Sequence, residues 1–307
     1  MTIEILHPKD EADWLAMRRQ DVTSTEVAAL FGCSPYMTAF ELWHRKHDNL
    51  EVKFEPSERM KWGTRLQDSI AAGIAEDKGW KIRRMTEYIR DPEFKSGASF
   101  DFGFHSDGAD EGLLEIKNVD SLIFREGWNA EGDNVEAPLH IEMQIQQQLW
   151  LTGELQAYIG ALIGGNRVVL IKREPDAVVM ESIKKRIAEF WKSIETHKEP
   201  TPNYAKDYEI ISRLYSYSEP GSVFNADARV SRLAFAYKQA ANEAKAANEK
   251  KDAAKAEILT LIGSAEKVIG EMFTISAGLT GPALIPAYER KGFRNFKITW
   301  KKEKPNA

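Results

Sequence analysis

SFDFGFHSDGADEGLLEIKN, residues 99–118, folds naturally into a hairpin, with two apolar runs flanking a turn rich in Asp and Gly. Its charges do not suit a plain sheet. Asp101 opens the first run, and Glu115 and Lys117 interrupt the second. With the turn centred near Gly108, Asp101 falls opposite Glu115. Directly opposed residues of an antiparallel pair share a face, with Cβ atoms roughly 4.5–5.5 Å apart. Lys117, two residues beyond Glu115, shares that face because side chains alternate along a strand.

Two opposed carboxylates repel, and a divalent cation resolves the repulsion. Mg²⁺ takes oxygen ligands and completes its shell with water. A lysine beside metal-bound water can act as a base or stabilise developing negative charge. The pattern therefore suits phosphodiester cleavage. A solvated sheet face with an acid paired to Lys117 fits the spacing equally well. Asp107, Asp110 and Glu111 fall in the turn, where their chemistry is that of turns.

Outward from the hairpin, periodicity and capping residues predict helices at 13–19, 22–32 (capped by Thr23 or Ser24), 38–47 and 57–79. The inward stripe of the last is Gly63, Leu66, Ile70, Gly73 and Ile74. Residues 80–91 read as a strand and 138–152 as a helix starting at Pro138. Residues 155–174 read as two strands around Gly164 and Gly165, followed by an amphipathic helix through Ile183, Ile187, Phe190 and Ile194. The order predicts an α/β or α+β core ending near residue 220. Beyond it, 226–262 is rich in Ala, Lys and Glu and reads as one long helical arm, with short strands at 268–278 and 293–302. The expected domains are thus 1–220 and 221–307.

The 307 residues are 43% hydrophobic and 29% charged, an ordinary globular composition. No run approaches the ~18 apolar residues of a membrane span, and the acidic start MTIEILHPKDE is unlike a secretory signal. Cys33 is the single cysteine, which rules out an intramolecular disulfide and a thiolate cluster and suits a reducing cytoplasm. The net charge of −5 does not advertise a nucleic-acid binder, but a basic groove can coexist with an acidic exterior. KIRRM (81–85), IKRE (171–174) and KKR (184–186) are local basic clusters.

An acid followed by a strand bearing Glu-Ile-Lys resembles the signature of the PD-(D/E)XK nuclease superfamily. GASFDFG (97–103) and GLLEIKN (112–118) supply its two halves. MQIQQQLWLTG (143–153) is similar to the glutamine-bearing helix of phage lambda exonuclease-type proteins, the YqaJ-like viral recombinases. WLAMRRQDVTSTEVAALFG (14–32) is similar to their opening motif. The resemblance implies a restriction-endonuclease-like α/β core, a central mixed sheet flanked by helices, with the C-terminal arm appended.

It also implies roles. Asp101 and Glu115 would be metal ligands, assisted by the backbone carbonyl of Ile116; Lys117 would be the catalytic lysine, and Gln144 would orient the site or its attacking water. Arg18 and Thr25, with Ser24, would form a pocket for a DNA 5′-phosphate, and a helix N-terminus suits an anion on independent grounds. The family often has Glu at the position of Gln67, a candidate neutral metal ligand on the inward stripe. Thr25 replaces the usual Ser. Phe100 and Phe102 replace the usual Pro and Gly around Asp101, which leaves Asp107 as the alternative aspartate.

The implied activity is a Mg²⁺-dependent 5′→3′ exonuclease, with Mn²⁺ as a substitute cation. It would act on double-stranded DNA ends and supply 3′ single-stranded tails for phage-type recombination in the cytoplasm of a bacterial host. A homotrimeric ring, a single-strand annealing partner and no membrane association complete the expectation. An endonuclease of restriction or repair type and a DNA-binding module without catalysis are the alternatives.

Overall fold

The computed structural model describes residues 2–48, 50, 56–108, 110–131 and 134–282. The chain divides into two compact units, Met1–Ile211 and Ser212–Ala307.

The first unit opens with β1 (Glu4–Leu6), α1 (Glu11–Arg19), β2 (Val22–Thr23), α2 (Val27–Leu30) and α3 (Ala39–His47). The Asp10 and Thr38 side chains cap α1 and α3 by accepting from Asp13 N and Glu41 N. The long helix α4 (Glu58–Lys78) runs from a Ser57 cap to Gly79, whose φ of 65° closes it. Then come β3 (Lys81–Arg84), β4 (Tyr88–Asp91), β5 (Ser96–Ser99), β6 (Phe102–His105) and β7 (Glu111–Val119). After α5 (Ser121–Gly127) and the small hairpin β8 (Asn129–Glu131) and β9 (Asn134–Glu136) follows α6 (Leu139–Thr152), preceded by Pro138. The unit continues with β10 (Ala157–Ile163), β11 (Arg167–Arg173) and α7 (Ala177–Glu195). A short helix, α8 (Tyr208–Leu214), spans the division between units. The described part of the second unit contains α9 (Ala228–Ile262) and the hairpin of β12 (Lys267–Ile269) and β13 (Thr274–Ser276). The strand expected at 293–302 lies outside the described residues.

The core of the first unit is a five-stranded mixed sheet in the order β11-β10-β7-β6-β3, accompanied by a four-stranded sheet β1-β4-β5-β2. β7 pairs antiparallel with β6 and parallel with β10. The hairpin register pairs Phe102 with Leu114 and Gly103 with Leu113, which extrapolates one step to Asp101 beside Glu115. The expectation drawn from the Gly108 turn is therefore met.

The alternation of β7 sorts its neighbours. Leu114 and Ile116 pack with Phe102, Phe104 and, from α4, Ile70, Ala71 and Ile74. Leu113 and Val119 face the other way, into the cluster that contains Ile141, Ile145 and Leu149 of α6. Helices thus cover both faces. Removing one of these fully buried aliphatic side chains costs about 2–5 kcal/mol.

Three local expectations change. Residues 22–32 do not form one helix; Val22 and Thr23 pair in register with Ser96 and Gly97, leaving only four helical residues in α2. Thr23 therefore does not cap α2, and Glu26 occupies that position without a side-chain cap. The expected strand 80–91 breaks into β3 and β4, which join different sheets. On α4 it is Ala71 that is buried, while Gly73 is exposed.

Gly97 marks a close approach beneath the four-stranded sheet. A Cβ there would overlap the Tyr88 hydroxyl and ring and press on Asp21 Oδ2 at 2.8 Å. Tyr88 donates to Asp21 at 3.0 Å, and Arg90 Nη2 donates to Asp21 Oδ1 at 2.7 Å, all in a buried pocket. Gly97→Ala should therefore destabilise the fold by about 1–3 kcal/mol. A denaturant titration of the purified variant checks this; an unchanged midpoint would mean the Tyr88–Asp21 contact yields freely.

Candidate active site

β7 places Glu115 and Lys117 on the face covered by α6, and α6 answers with glutamines. Glu115 is 6% exposed. Its Oε1 accepts from Lys117 Nζ at 2.7 Å and from Gln144 Nε2 at 2.6 Å, and its Oε2 accepts from Gln148 Nε2 at 2.9 Å. Lys117 Nζ also donates to Gln144 Oε1 at 3.1 Å, closing a three-membered ring of contacts. An ionised carboxylate so enclosed persists only because charged and amide donors replace its water.

Asp101 stands where β6 begins. Its Oδ2 accepts from the Ile116 N–H at 2.8 Å, and its Oδ1 accepts from Gln67 Nε2. Gln67 Oε1 in turn accepts from Arg84 Nη1 at 3.2 Å. Arg84 also binds Asp68 and lies over the Phe102 ring, 4.9 Å from its centre. Gln67 thus turns its nitrogen toward Asp101 and its oxygen toward Arg84. Asp107 stays in the turn, exposed and paired with Lys81 at 2.8 Å.

Charge in this cluster is strongly unbalanced by burial. Burial first, and then the negative charge of Glu115, push the Asp101 carboxyl up to about 7; Lys117, the Ile116 N–H and Arg84 oppose this. For Lys117, burial acts downward, but Glu115 and Asp101 together outweigh it and hold the ammonium above its ordinary range. A buried carboxylate and a half-buried one that resists ionisation form an oxygen-rich set that suits a hard divalent cation. Asp101 and Glu115 have the donor chemistry to hold one, with the Ile116 carbonyl available in the intervening backbone. Among the described residues, no group of three His, Cys, Asp or Glu side chains surrounds a cation position, so water would complete the shell.

A second polar group forms around Arg18. Its Nη2 donates to Thr25 Oγ1 at 3.1 Å and approaches Thr23 Oγ1 at 3.4 Å. Its guanidinium lies over Trp14, 4.6 Å from the ring centre. Thr23 is fully buried and Ser24 nearly so, while Thr25 is exposed. The helix-terminus argument for this pocket falls, because α2 is a single turn. What remains is a guanidinium with a hydroxyl fork, held in place by Lys46, whose Nζ binds Glu26 and the Arg18 carbonyl, each at 2.9 Å.

Helix α6 joins the two groups. Gln147 Nε2 donates to the Val22 carbonyl and to Ser96 Oγ, each at 2.9 Å, fixing the strand that precedes Thr25. Gln148 Nε2 donates to both Glu115 and the Ser99 carbonyl, and Ser99 Oγ accepts from Trp14 Nε1 at 2.8 Å. Sequence reasoning singled out Gln144 and missed Gln148, although the four-residue spacing places both on one helix face. It also missed Arg84, which stood only as part of a basic cluster. His140, one turn before Gln144, sits edge-on to Tyr36 at 5.7 Å between ring centres. Burial, then the nearby Lys117 charge, lowers its proton affinity.

An acid at a strand entrance, Glu-Ile-Lys on the adjacent strand and a buttressing helix thus come together on one mixed sheet flanked by helices. Residues 13–154 match the model of the YqaJ-like viral recombinase domain. The chain is 30% identical over 182 residues to YqaJ, an uncharacterised protein of Bacillus subtilis strain 168. That match covers 58% of this chain and 54% of YqaJ, so the chain spans about half the length of its curated relative. Among solved structures it is similar to the alkaline exonuclease LHK-Exo from Laribacter hongkongensis, at 20% identity, over 65% of this chain and 98% of that one, with a TM-score of 0.46. A phage-related exonuclease from Haemophilus somnus 129PT is 15% identical over 62% of this chain and 89% of its own, with a TM-score of 0.39.

The raised affinity of Asp101 for a proton has a consequence for stability. The folded chain holds a proton that the unfolded chain releases at its ordinary 3.8, so this group's contribution is complete below that value and is lost as pH rises toward about 7. Metal-free protein should therefore lose stability across that window, on the order of a few kcal/mol, and Asp101→Asn should flatten the loss. Chemical denaturation at several pH values is the measurement; equal slopes in the two proteins would contradict the assignment.

Proposed function

We propose that the chain is a metal-dependent 5′→3′ exodeoxyribonuclease. It degrades one strand of linear double-stranded DNA and leaves 3′ single-stranded tails for phage-type recombination. The observation that carries this reading is the contiguous set Asp101, Glu115, Lys117 and Gln144 within a YqaJ-like domain. Asp101 and Glu115 would hold Mg²⁺, with Mn²⁺ as a substitute. When bound, the cation supplies an activated water and neutralises phosphate charge.

This chain's own groups do the rest. Glu115, fixed by Gln144 and Gln148, keeps its orientation while substrate enters. Gln67, held by Arg84, orients Asp101. Water attacks phosphorus in line as the bond to the leaving sugar oxygen breaks. Lys117, which holds its proton firmly, stabilises the charge that builds on the phosphate oxygens. It can act as a base only after its attraction to Glu115 and Asp101 is relieved. Arg18 and Thr25 offer donors to a terminal 5′-phosphate, which would set the polarity. A ring of three subunits, a single-strand annealing partner and work in the cytoplasm of a host carrying the phage or prophage belong to the same proposal. Among the described residues, no helix is long and apolar enough to cross a membrane.

Purified chain with Mg²⁺ should release nucleotides from linear duplex bearing a 5′-phosphate, more slowly from a 5′-hydroxyl end, and leave closed circular DNA intact. Cutting of the circle would identify an endonuclease instead. Lys117→Ala and Glu115→Gln should each lower the rate by about a hundredfold or more while the proteins remain folded. Near-normal rates in either would remove these residues from the site. Arg18→Ala should abolish the preference for a 5′-phosphate while leaving slow cleavage of 5′-hydroxyl ends; an unchanged preference would place the end-binding pocket elsewhere.

A further inference from the structure

Three of the chain's six histidines meet away from the Glu115 cluster, where the C-terminal ends of α3 and α7 converge. Asp48, just past α3, binds two of them at once. Its Oδ2 accepts from His44 Nδ1 and its Oδ1 from His47 Nδ1, each at 2.5 Å. These bonds fix the outward nitrogen of each ring as Nε2. His47 Nε2 meets His197 Nδ1 at 2.8 Å, and the His47 ring stacks on Trp43 with 4.1 Å between centres.

His44 is different. It is 6% exposed, and its Nε2 is buried without a hydrogen-bond partner among the described residues. The group facing it is the carboxylate of Glu199, at 3.5 Å from Oε2. A ring nitrogen and a carboxylate oxygen thus face each other with no hydrogen-bond partner for the nitrogen, and a cation at this point, a proton on the ring or a metal in its place, would satisfy both.

The backbone invests in this placement. His197 N donates to the Ile194 carbonyl at 3.1 Å and Lys198 N to the Ser193 carbonyl at 2.8 Å, the paired bonds of a helix-terminating turn. The residue at its left-handed position is ordinarily Gly, yet here it is His197 with φ 51°. A side chain there is strained by the contact of its Cβ with the following carbonyl oxygen. The turn swings Glu199 back over His44 and holds the His197 ring against His47.

We propose that this junction binds a divalent transition metal of the zinc class, ligated by His44 Nε2 and Glu199. Two zinc ligands at about 2.0–2.1 Å and a tetrahedral angle stand roughly 3.3–3.4 Å apart, close to the separation observed. Asp48 behind the imidazole supplies the outer carboxylate that fixes tautomer and ring orientation in such sites. With two protein ligands, water fills the remaining positions. Bound metal would tie the α3 end to the turn after α7. The site shares no residue with the Asp101–Glu115 set and does not depend on the proposed nuclease activity.

The test is calorimetric titration of chelator-stripped full chain with Zn²⁺, in excess Mg²⁺ so that oxygen-only sites are already filled. One zinc per chain should bind and raise the melting temperature. Glu199→Gln, at an exposed side chain, should remain folded and weaken binding about tenfold or more; Asp48→Asn should weaken it about 10- to 100-fold. Zinc binding that is absent, or unchanged in Glu199→Gln, or lost instead in Glu115→Gln, overturns the proposal. So does a melting temperature that ignores zinc but falls as pH rises through the histidine range, which would make the cation a proton on His44.

Discussion

The buried carboxylate of Glu115 is the constraint around which the first unit is organised. A charge placed nearly out of water needs several donors, and no single element provides them. Lys117 comes from the same strand and Gln144 and Gln148 from a helix laid across it. The helix must therefore run at one height and rotation over β7. The same placement turns Gln147 toward the second sheet, where it bonds the Val22 carbonyl. Satisfying one charge thus registers two sheets against each other.

This explains why α6 is barely amphipathic. Nine of its residues are buried, including four glutamines. The amides are divided among three neighbours: Gln146 bonds the Glu174 carbonyl and the Asp176 N–H, Gln147 the four-stranded sheet, and Gln144 and Gln148 the acid. A helix buried all round with polar residues inside gains specificity of placement from them, since any rotation leaves several amides unpaired. The hydrophobic drive comes from Ile145, Leu149 and Leu151, which are essentially inaccessible.

Asp101 is held differently, by one backbone N–H and one amide, and it pays for burial with a raised proton affinity. The pair is therefore asymmetric. Glu115 has ample donors, whereas Asp101 remains short of positive charge. The Arg84–Gln67 contact delivers that charge only through a neutral amide. A cation shared between the two acids would correct the imbalance, which supports the metal site proposed for this cluster.

Much of this was legible in the chain itself. Alternation along 99–118 and the position of Gly108 determine that Asp101, Glu115 and Lys117 converge, because strand period and turn position leave one register. The caps at Ser57 and Gly79 and the proline before α6 likewise follow from local chemistry. The tertiary structure decided the rest. Val22 and Thr23 are strand rather than helix because Ser96 and Gly97 offer them a partner seventy-odd residues on. Residues 80–91 break because two different sheets compete for one stretch of backbone. Gln148 reaches Glu115, and His44 meets Glu199, only once distant elements pack. Local periodicity determines which side chains share a face; which partner that face meets is settled by long-range burial, and a sequence read locally carries no term for it.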